Sequence, residues 1–339
     1  MSEEFKVYVN CITYNQSAYI KDTLNGFCMQ QTDFPFVCCI IDDASTDGEQ
    51  SEIQNYLEEH FDFERKNASK REETEDCIRS FAQHRENKNC YFAVVFLKYN
   101  HYSIRKDKTQ YSSKWRNMAK YIALCEGDDY WIDPQKLYKQ VSYMDNHPDC
   151  SLCYASARVF DQDSKDFSPI LLGEPCESFE ALLRKNVIPT LTVLYRADVL
   201  KDYYDVIKPL EHNWSLGDYP LWLWLAVHGT IHFLGDIVGV YRKINGSVSH
   251  PVSVNQYKKL INDANDIVIL FDQKYNQGKL YKYREHLRYR GLMSIEANFN
   301  HSIRGVLSCF RKLPFKAFRD YLVLCKSILQ IFLFSIVRH

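Results

Sequence analysis

Along the first 150 residues, short apolar runs alternate with stretches whose apolar positions recur at helical spacing. Residues 7–12 read as a strand, closed by the polar turn Thr13-Tyr14-Asn15. Ile20, Leu24 and Phe27 then share one helical face, which predicts a helix running to Gln31. Residues 36–41 are nearly all apolar, as in a strand buried on both faces. That run stops at Asp42-Asp43-Ala44-Ser45-Thr46-Asp47, whose last polar residues can cap the next helix. Residues 91–97 and 121–125 read as further strands, with a helix ending near Met118 between them. Asp133-Pro134 is a cap followed by a first-turn proline, and Leu137, Val141 and Met144 line the buried face of the helix it starts. Residues 62–90 are charged with little periodicity, and read as a helix end and an exposed insertion.

Strands alternating with helices predict an α/β fold with a mostly parallel, doubly wound sheet. Ligands of such sheets bind at the carboxyl ends of the strands, where Asp42-Asp43 and Glu126-Gly127-Asp128-Asp129 both fall. Beyond residues 151–160 the pattern is mixed, with a helix near 178–186, a strand near 190–195 and a helix after Asp218-Tyr219-Pro220. No linker separates this half from the first, and from about Val252 the chain looks helical. The expected organisation is one domain over residues 1–250, with a nucleotide-binding half to about 150 and an acceptor half from 151, then a helical extension over 251–339.

With 46% hydrophobic and 25% charged residues, 12 Gly and 10 Pro, the composition excludes low-complexity disorder. The net charge of −1 argues against a nucleic-acid partner, but it hides an asymmetry. From Lys274 onward there are thirteen Lys and Arg against Glu285, Glu296 and Asp320. A basic tail on an acidic body predicts an anionic partner surface. Of the 12 cysteines, Cys11, Cys38, Cys39, Cys125 and Cys153 lie inside apolar runs, where cysteine acts as a small hydrophobe. No CxxC pair sits with a second such pair or a His pair at zinc spacing. Residues 1–6 lack the basic and apolar pattern of a signal segment, so a reducing cytoplasm is expected.

Clustered carboxylates repel one another unless a cation or hydrogen-bond donors offset them. A divalent ion prefers oxygen ligands and bridges carboxylates to substrate phosphates. Glu126 and Asp128 flank a glycine, which suggests a loop that lets a diphosphate approach. Aspartates at strand ends are also ordinary turn formers and caps, but two clusters on neighbouring ends favour function. Neither GxGxxG nor GxxxxGK[ST] occurs, against a dehydrogenase or a P-loop kinase.

The succession Thr13-Tyr14-Asn15, Asp42-Asp43-Ala44-Ser45-Thr46-Asp47 and Glu126-Gly127-Asp128-Asp129-Tyr130-Trp131 resembles family 2 glycosyltransferases of the GT-A fold, in particular the bacterial branch making capsule, O-antigen and exopolysaccharide. The resemblance is clear over about 150 residues and weaker to about 250. It implies that Tyr14 stacks on the donor's base, with Asn15 in the same donor site, that Asp43 takes a base N–H, and that Asp42 supports the loop. Glu126-Gly127-Asp128 falls on the family's Asp-X-Asp motif. Asp128 then ligates Mn²⁺ or Mg²⁺, with Glu126 in place of the usual first aspartate on the ribose or the metal. Asp129, Tyr130 and Trp131 would shape the donor sugar pocket; Trp131 reads equally as a core residue. Asp218, in Leu216-Gly217-Asp218-Tyr219-Pro220, occupies the place of the acid–base carboxylate that takes the acceptor's proton, and an N-cap is its other reading. Gly239-Val240-Tyr241-Arg242, followed by Ser247, Ser249 and His250, resembles the segment closing over the diphosphate. Arg242 would offset leaving-group charge, and His250 would complete the metal site or touch phosphate.

The implied function is an inverting transfer of sugar from a nucleoside-diphosphate sugar to a hydroxyl of a glycan or lipid-linked acceptor, with no nucleic-acid partner. A non-catalytic sugar- or partner-binding module of the same fold is the alternative, and the retained carboxylates speak against it. A nucleotidyltransferase would want a glycine-rich basic loop after the first strand, which residues 12–17 lack. At the other end, residues 327–337 are uncharged and mostly apolar, too short a run for the roughly 20 residues that span a bilayer. With Arg304, Arg311, Lys312, Lys316 and Arg319 before it, the run reads as a segment in the membrane interface on the inner face, or as a helix packed on the protein.

Overall fold

The structure is a computed structural model and describes residues 5–65, 68–176, 178–244 and 253–337. The chain divides into two compact units that interleave in sequence. One comprises Met1–Ser178, Val187–Asp202 and His228–Lys243; the other comprises Phe179–Asn186, Tyr203–Val227 and Ile244–His339. Residues 179–186 and 203–227 thus group with the carboxyl-terminal helices.

The first unit is built on one 12-stranded sheet. Its first half runs β1 (Val7–Thr13), α1 (Ile20–Cys28), β2 (Phe36–Asp42), α2 (Glu49–His60), β3 (Phe61–Asp62), β4 (Ser69–Glu73), β5 (Cys77–His84) and β6 (Cys90–Leu97). Then come α3 (Ser113–Arg116), β7 (Tyr121–Leu124), β8 (Tyr130–Trp131), α4 (Lys136–Asn146), β9 (Cys150–Asp161), β10 (Asp166–Leu172), β11 (Leu194–Arg196) and β12 (Thr230–Lys243). The strand order is β3-β5-β6-β2-β1-β7-β11-β9-β12-β8, with β10 on β9 and β4 on β5. The four central strands, β6, β2, β1 and β7, are mutually parallel, as the alternation predicts. Antiparallel β5 and β11 extend that core on either side, so the whole sheet is mixed.

Every residue of β2 and β6 is buried, which is why those runs carry no alternation. Ile20, Leu24 and Phe27 are fully buried on α1, each contributing roughly 1.5–3 kcal/mol by burial. Gly26 lets α1 close on β8: a Cβ there would lie 2.8 Å from the backbone nitrogen of Trp131. The stretch read as an exposed insertion instead forms the antiparallel pair β4–β5. Its edge strand, Ser-Lys-Arg-Glu-Glu, is polar on both faces and leaves no period to read. All twelve cysteines are free thiols, and nine are buried.

The second unit is helical: α5 (Phe179–Arg184), α6 (Tyr203–Ile207), α7 (Pro209–His212), α8 (Tyr219–His228), α9 (Val254–Tyr275), α10 (Tyr281–Asn298), α11 (Ile303–Arg311) and α12 (Phe318–Val337). A capping box, Ser253 with Gln256, starts α9. Met293 and Ala297 of α10, Val306 and Phe310 of α11, Leu313 of the turn after it and Ile331 of α12 form a small core. No helix among the described residues is long and apolar enough to cross a membrane.

Candidate active site

Parallel neighbours discharge their following loops at one edge. Thr13 pairs with Asp42 and Asn10 with Leu124, so the loops after β1, β2 and β7 leave the sheet side by side. The first two are tied together. The amide of Asn15, at φ 55°, donates to Ser45 Oγ at 2.8 Å, and the Asn15 side-chain oxygen accepts from the Thr46 amide at 2.8 Å. The Ser17 amide donates to Asp47 at 2.9 Å. Beneath them lies Glu49, fully buried at the start of α2. It accepts from the Thr13 hydroxyl, the Gln16 amide (2.9 Å) and the Ser45 hydroxyl (2.8 Å). Burial pushes its carboxyl above the usual range, against these donors. Sequence reasoning missed Glu49, since an acid in a first helical turn reads as a dipole partner. Asn15 serves here as a strap, whereas Tyr14 stands 45% exposed.

The two aspartates after β2 are buried in different ways. Asp42 accepts from the Ser45 amide (3.1 Å) and from Gln50 through one oxygen. Its other oxygen is buried with no hydrogen-bond partner among the described residues. Burial raises this carboxyl. Asp43 accepts from the His101 amide (2.7 Å), the Tyr102 amide (3.1 Å) and Lys108 Nζ (2.9 Å). Both oxygens of the expected base receptor are therefore held by the loop after β6. Lys108 also lies 5.4 Å from the ring centre of Tyr102, a tyrosine 71% exposed. Behind that loop His101 Nε2 meets the Tyr111 hydroxyl (3.0 Å), which donates to Asp76 (2.9 Å).

The loop after β7 carries the acidic cluster. Gly127 is pinned by its amide to the Ile12 carbonyl (3.2 Å) and by its carbonyl to the Thr23 hydroxyl (2.9 Å). Its missing side chain is filled by Thr13, not left open for a ligand: a Cβ would fall 2.5 Å from Thr13 Cβ. Glu126 is exposed, Asp128 half-buried and Asp129 buried. Burial raises Asp128, and burial together with the charges of Asp128 and Glu126 raises Asp129 well above the carboxylate range. Arg242 on β12 donates its amide to Asp129 (2.8 Å) and its guanidinium to the Asp128 carbonyl (3.3 Å) and to Asp22. It is 6% exposed, with the Tyr130 ring 4.5 Å away. Trp131 is a core residue, donating to the Leu191 carbonyl at 2.7 Å.

Asp128 makes no side-chain hydrogen bond to another described residue, and carboxylate oxygens such as its own and those of Glu126 are of the donor type that Mg²⁺ or Mn²⁺ prefers. Among the described residues no group of three or more His, Cys, Asp or Glu is arranged to hold a metal. His250, expected to complete a metal site or touch phosphate, lies outside the described residues together with Ser247 and Ser249. Asp218 belongs to the second unit and directly precedes α8, accepting from the Tyr219 amide at 2.7 Å. A cleft lined by Met29, Gln31, Asn87 and Tyr138 among others lies by the segments that enter β2 and β6. It contains one acid, Asp33, and none of the acidic clusters.

Residues 9–74 match the family described as Glycosyl transferase family 2. Uncharacterized protein Rv1520 of Mycobacterium tuberculosis is 31% identical over 253 residues, 73% of this chain and 61% of that protein, so the chain spans about three fifths of this relative's length. Among solved structures, S. aureus TarS 1–349 in complex with UDP-GlcNAc is similar over 96% of this chain and 89% of its own, at 14% identity and a TM-score of 0.47. The mannosyltransferase PcManGT of Pyrobaculum calidifontis, in complex with GDP-Man and Mn²⁺, is similar over 98% and 87%, at 12% identity and a TM-score of 0.50. The chain has the GT-A fold, with a glycosyl transferase family 2 segment at residues 9–74.

Proposed function

We propose that the chain is an inverting, divalent-cation-dependent family 2 glycosyltransferase of cell-surface polysaccharide synthesis, moving a sugar from a nucleoside-diphosphate sugar to a hydroxyl of a glycan or lipid-linked acceptor at the inner membrane face. The observation that carries this reading is the convergence, at the carboxyl edge of adjacent parallel strands, of the Tyr14 loop, the Asp42-Asp43 loop and the Glu126–Asp129 loop. The Mn²⁺ and GDP-Man of the Pyrobaculum protein are the kind of ligand pair such an edge would take.

In this reading Tyr14 offers its exposed ring to the donor's base. Asp43 exchanges one of its present loop donors for a base N–H. Asp128, with Glu126, would hold the cation, and Arg242 supplies positive charge beneath that loop. When bound, the cation neutralises the departing diphosphate. Asp218 accepts the proton of the acceptor hydroxyl as that oxygen attacks the anomeric carbon from the face opposite the leaving group.

Purified protein incubated with UDP-, GDP- and dTDP-sugars in Mn²⁺ or Mg²⁺ should release nucleoside diphosphate from one donor. Chelation should stop release, and Asp128→Ala should abolish it while leaving the fold intact. Nucleotide binding without turnover would instead mark a binding module, and full activity in chelator would remove Asp128 as a ligand.

A further inference from the structure

Helix α12 has two apolar faces. One packs on α10 and α11 through Ile331, with Val323, Leu324 and Ile328 partly buried. The other is bare: Phe318 (79% exposed), Leu322 (55%), Cys325, Leu329 (60%) and Phe332 (55%) follow one another at alternating spacings of four and three. That spacing keeps them on a single stripe along the helix.

The charges around the stripe have one sign. Arg304, Arg311, Lys312, Lys316, Arg319 and Lys326 are all exposed. Asp320 is the one acid from 299 to 337; it is 1% exposed and bound to His286 at 3.0 Å. A second copy of the helix would fit such a seam geometrically. Arg319 and Lys326 flank the stripe, however, and whichever way such a pair ran no exposed acid on the helix could meet them. An anionic bilayer offers the complement of both features: headgroup charge for the six cations and an acyl boundary for the stripe. We propose that α12, with the basic residues of α11 and the turn between them, is a surface that lays this protein on anionic lipid, Phe318, Leu322, Leu329 and Phe332 entering the interface without crossing it. The sugar-transfer reading gains a lipid-side acceptor from this surface, but the surface does not depend on that reading.

The full chain is sedimented with vesicles of phosphatidylcholine alone, or of equal parts phosphatidylcholine and phosphatidylglycerol, at low and high salt. It should pellet with the anionic vesicles at low salt, be released by high salt and ignore the neutral ones. Leu329→Glu with Phe332→Glu should abolish pelleting while leaving circular dichroism unchanged. Arg319→Gln with Lys326→Gln should weaken partitioning roughly twenty-five-fold, at about fivefold per basic residue facing the lipid. The second pair decides the matter if the first fails to fold. Indifference to anionic vesicles at low salt overturns the proposal. So does partitioning unaffected by the charge pair, or a dimer in solution that the Glu pair converts to monomer. None of these outcomes depends on whether the protein transfers sugar.

Discussion

Gly127→Ala tests how the acidic loop is held. The φ of Gly127 lies outside the left-handed region, so alanine's backbone preferences are not at issue; the contact alone decides. The new methyl would stand 2.5 Å from Thr13 Cβ, into the Thr13 hydroxyl, and 3.3 Å from Ile20 Cδ1. The loop cannot simply retreat, because both the amide and the carbonyl of Gly127 are bonded to neighbouring elements. Thr13 must therefore give way, and its hydroxyl is the donor to Glu49. Overpacking costs about 1–3 kcal/mol, and loss of a hydrogen bond to a charged acceptor adds about 1.5–3 kcal/mol. Roughly 3–5 kcal/mol of destabilisation is expected, read as a fall in the urea midpoint. Because the displaced Thr13 adjoins Tyr14, nucleoside-diphosphate affinity should fall as well. The control is Thr13→Gly, which removes both clashing atoms. In that background Gly127→Ala should cost under about 1 kcal/mol, the coupling expected of residues in direct contact. Equal costs in the two backgrounds would show that Thr13 is not what fills the space beside Gly127.

Lys136 is fully buried, bonded to Gln140 at 2.9 Å, with its ammonium 4.2 Å from the Trp131 ring centre. Burial lowers it from 10.5 to about 7. Between those pH values the unfolded chain binds a proton that the folded chain does not, so stability should rise with pH from about 7 and level off below it. At 1.36 kcal/mol per pKa unit the burden at pH 7 is roughly 5 kcal/mol. Lys136→Met should therefore stabilise by roughly 3 kcal/mol after the lost hydrogen bond, and should flatten the rise in urea midpoint between pH 7 and 9; identical slopes would refute the assignment. Asp218→Asn keeps the shape of the side chain and removes proton acceptance, so turnover should drop at least about a hundredfold with donor affinity unchanged. Near-normal turnover would leave Asp218 a helix-start residue only.

The fold was legible where burial is extreme. Residues of β2 are enclosed on both faces, and those of α1 on one, so hydrophobicity alone marks them. The β4–β5 pair was not legible, because a polar edge strand has no buried face to print a period on the sequence. Nor was the grouping of residues 179–186 and 203–227 with the carboxyl-terminal helices, which rests on contacts distant in the chain. At the site, residue type revealed where the carboxylates are but not which are already engaged. Asp43 is held by His101, Tyr102 and Lys108, some sixty residues on, and Glu49 by the loops it ties together. Asp129 takes the Arg242 amide from β12, the strand that pairs with β8. These partners turn part of the acidic edge into scaffold, which lowers the repulsion the edge would otherwise suffer. What they leave is Asp128, half-buried, raised by burial and with no side-chain hydrogen bond to another described residue. A carboxylate in that condition gains most from an added positive charge, and it is the scaffold around it, unreadable from composition, that makes it the residue to test first.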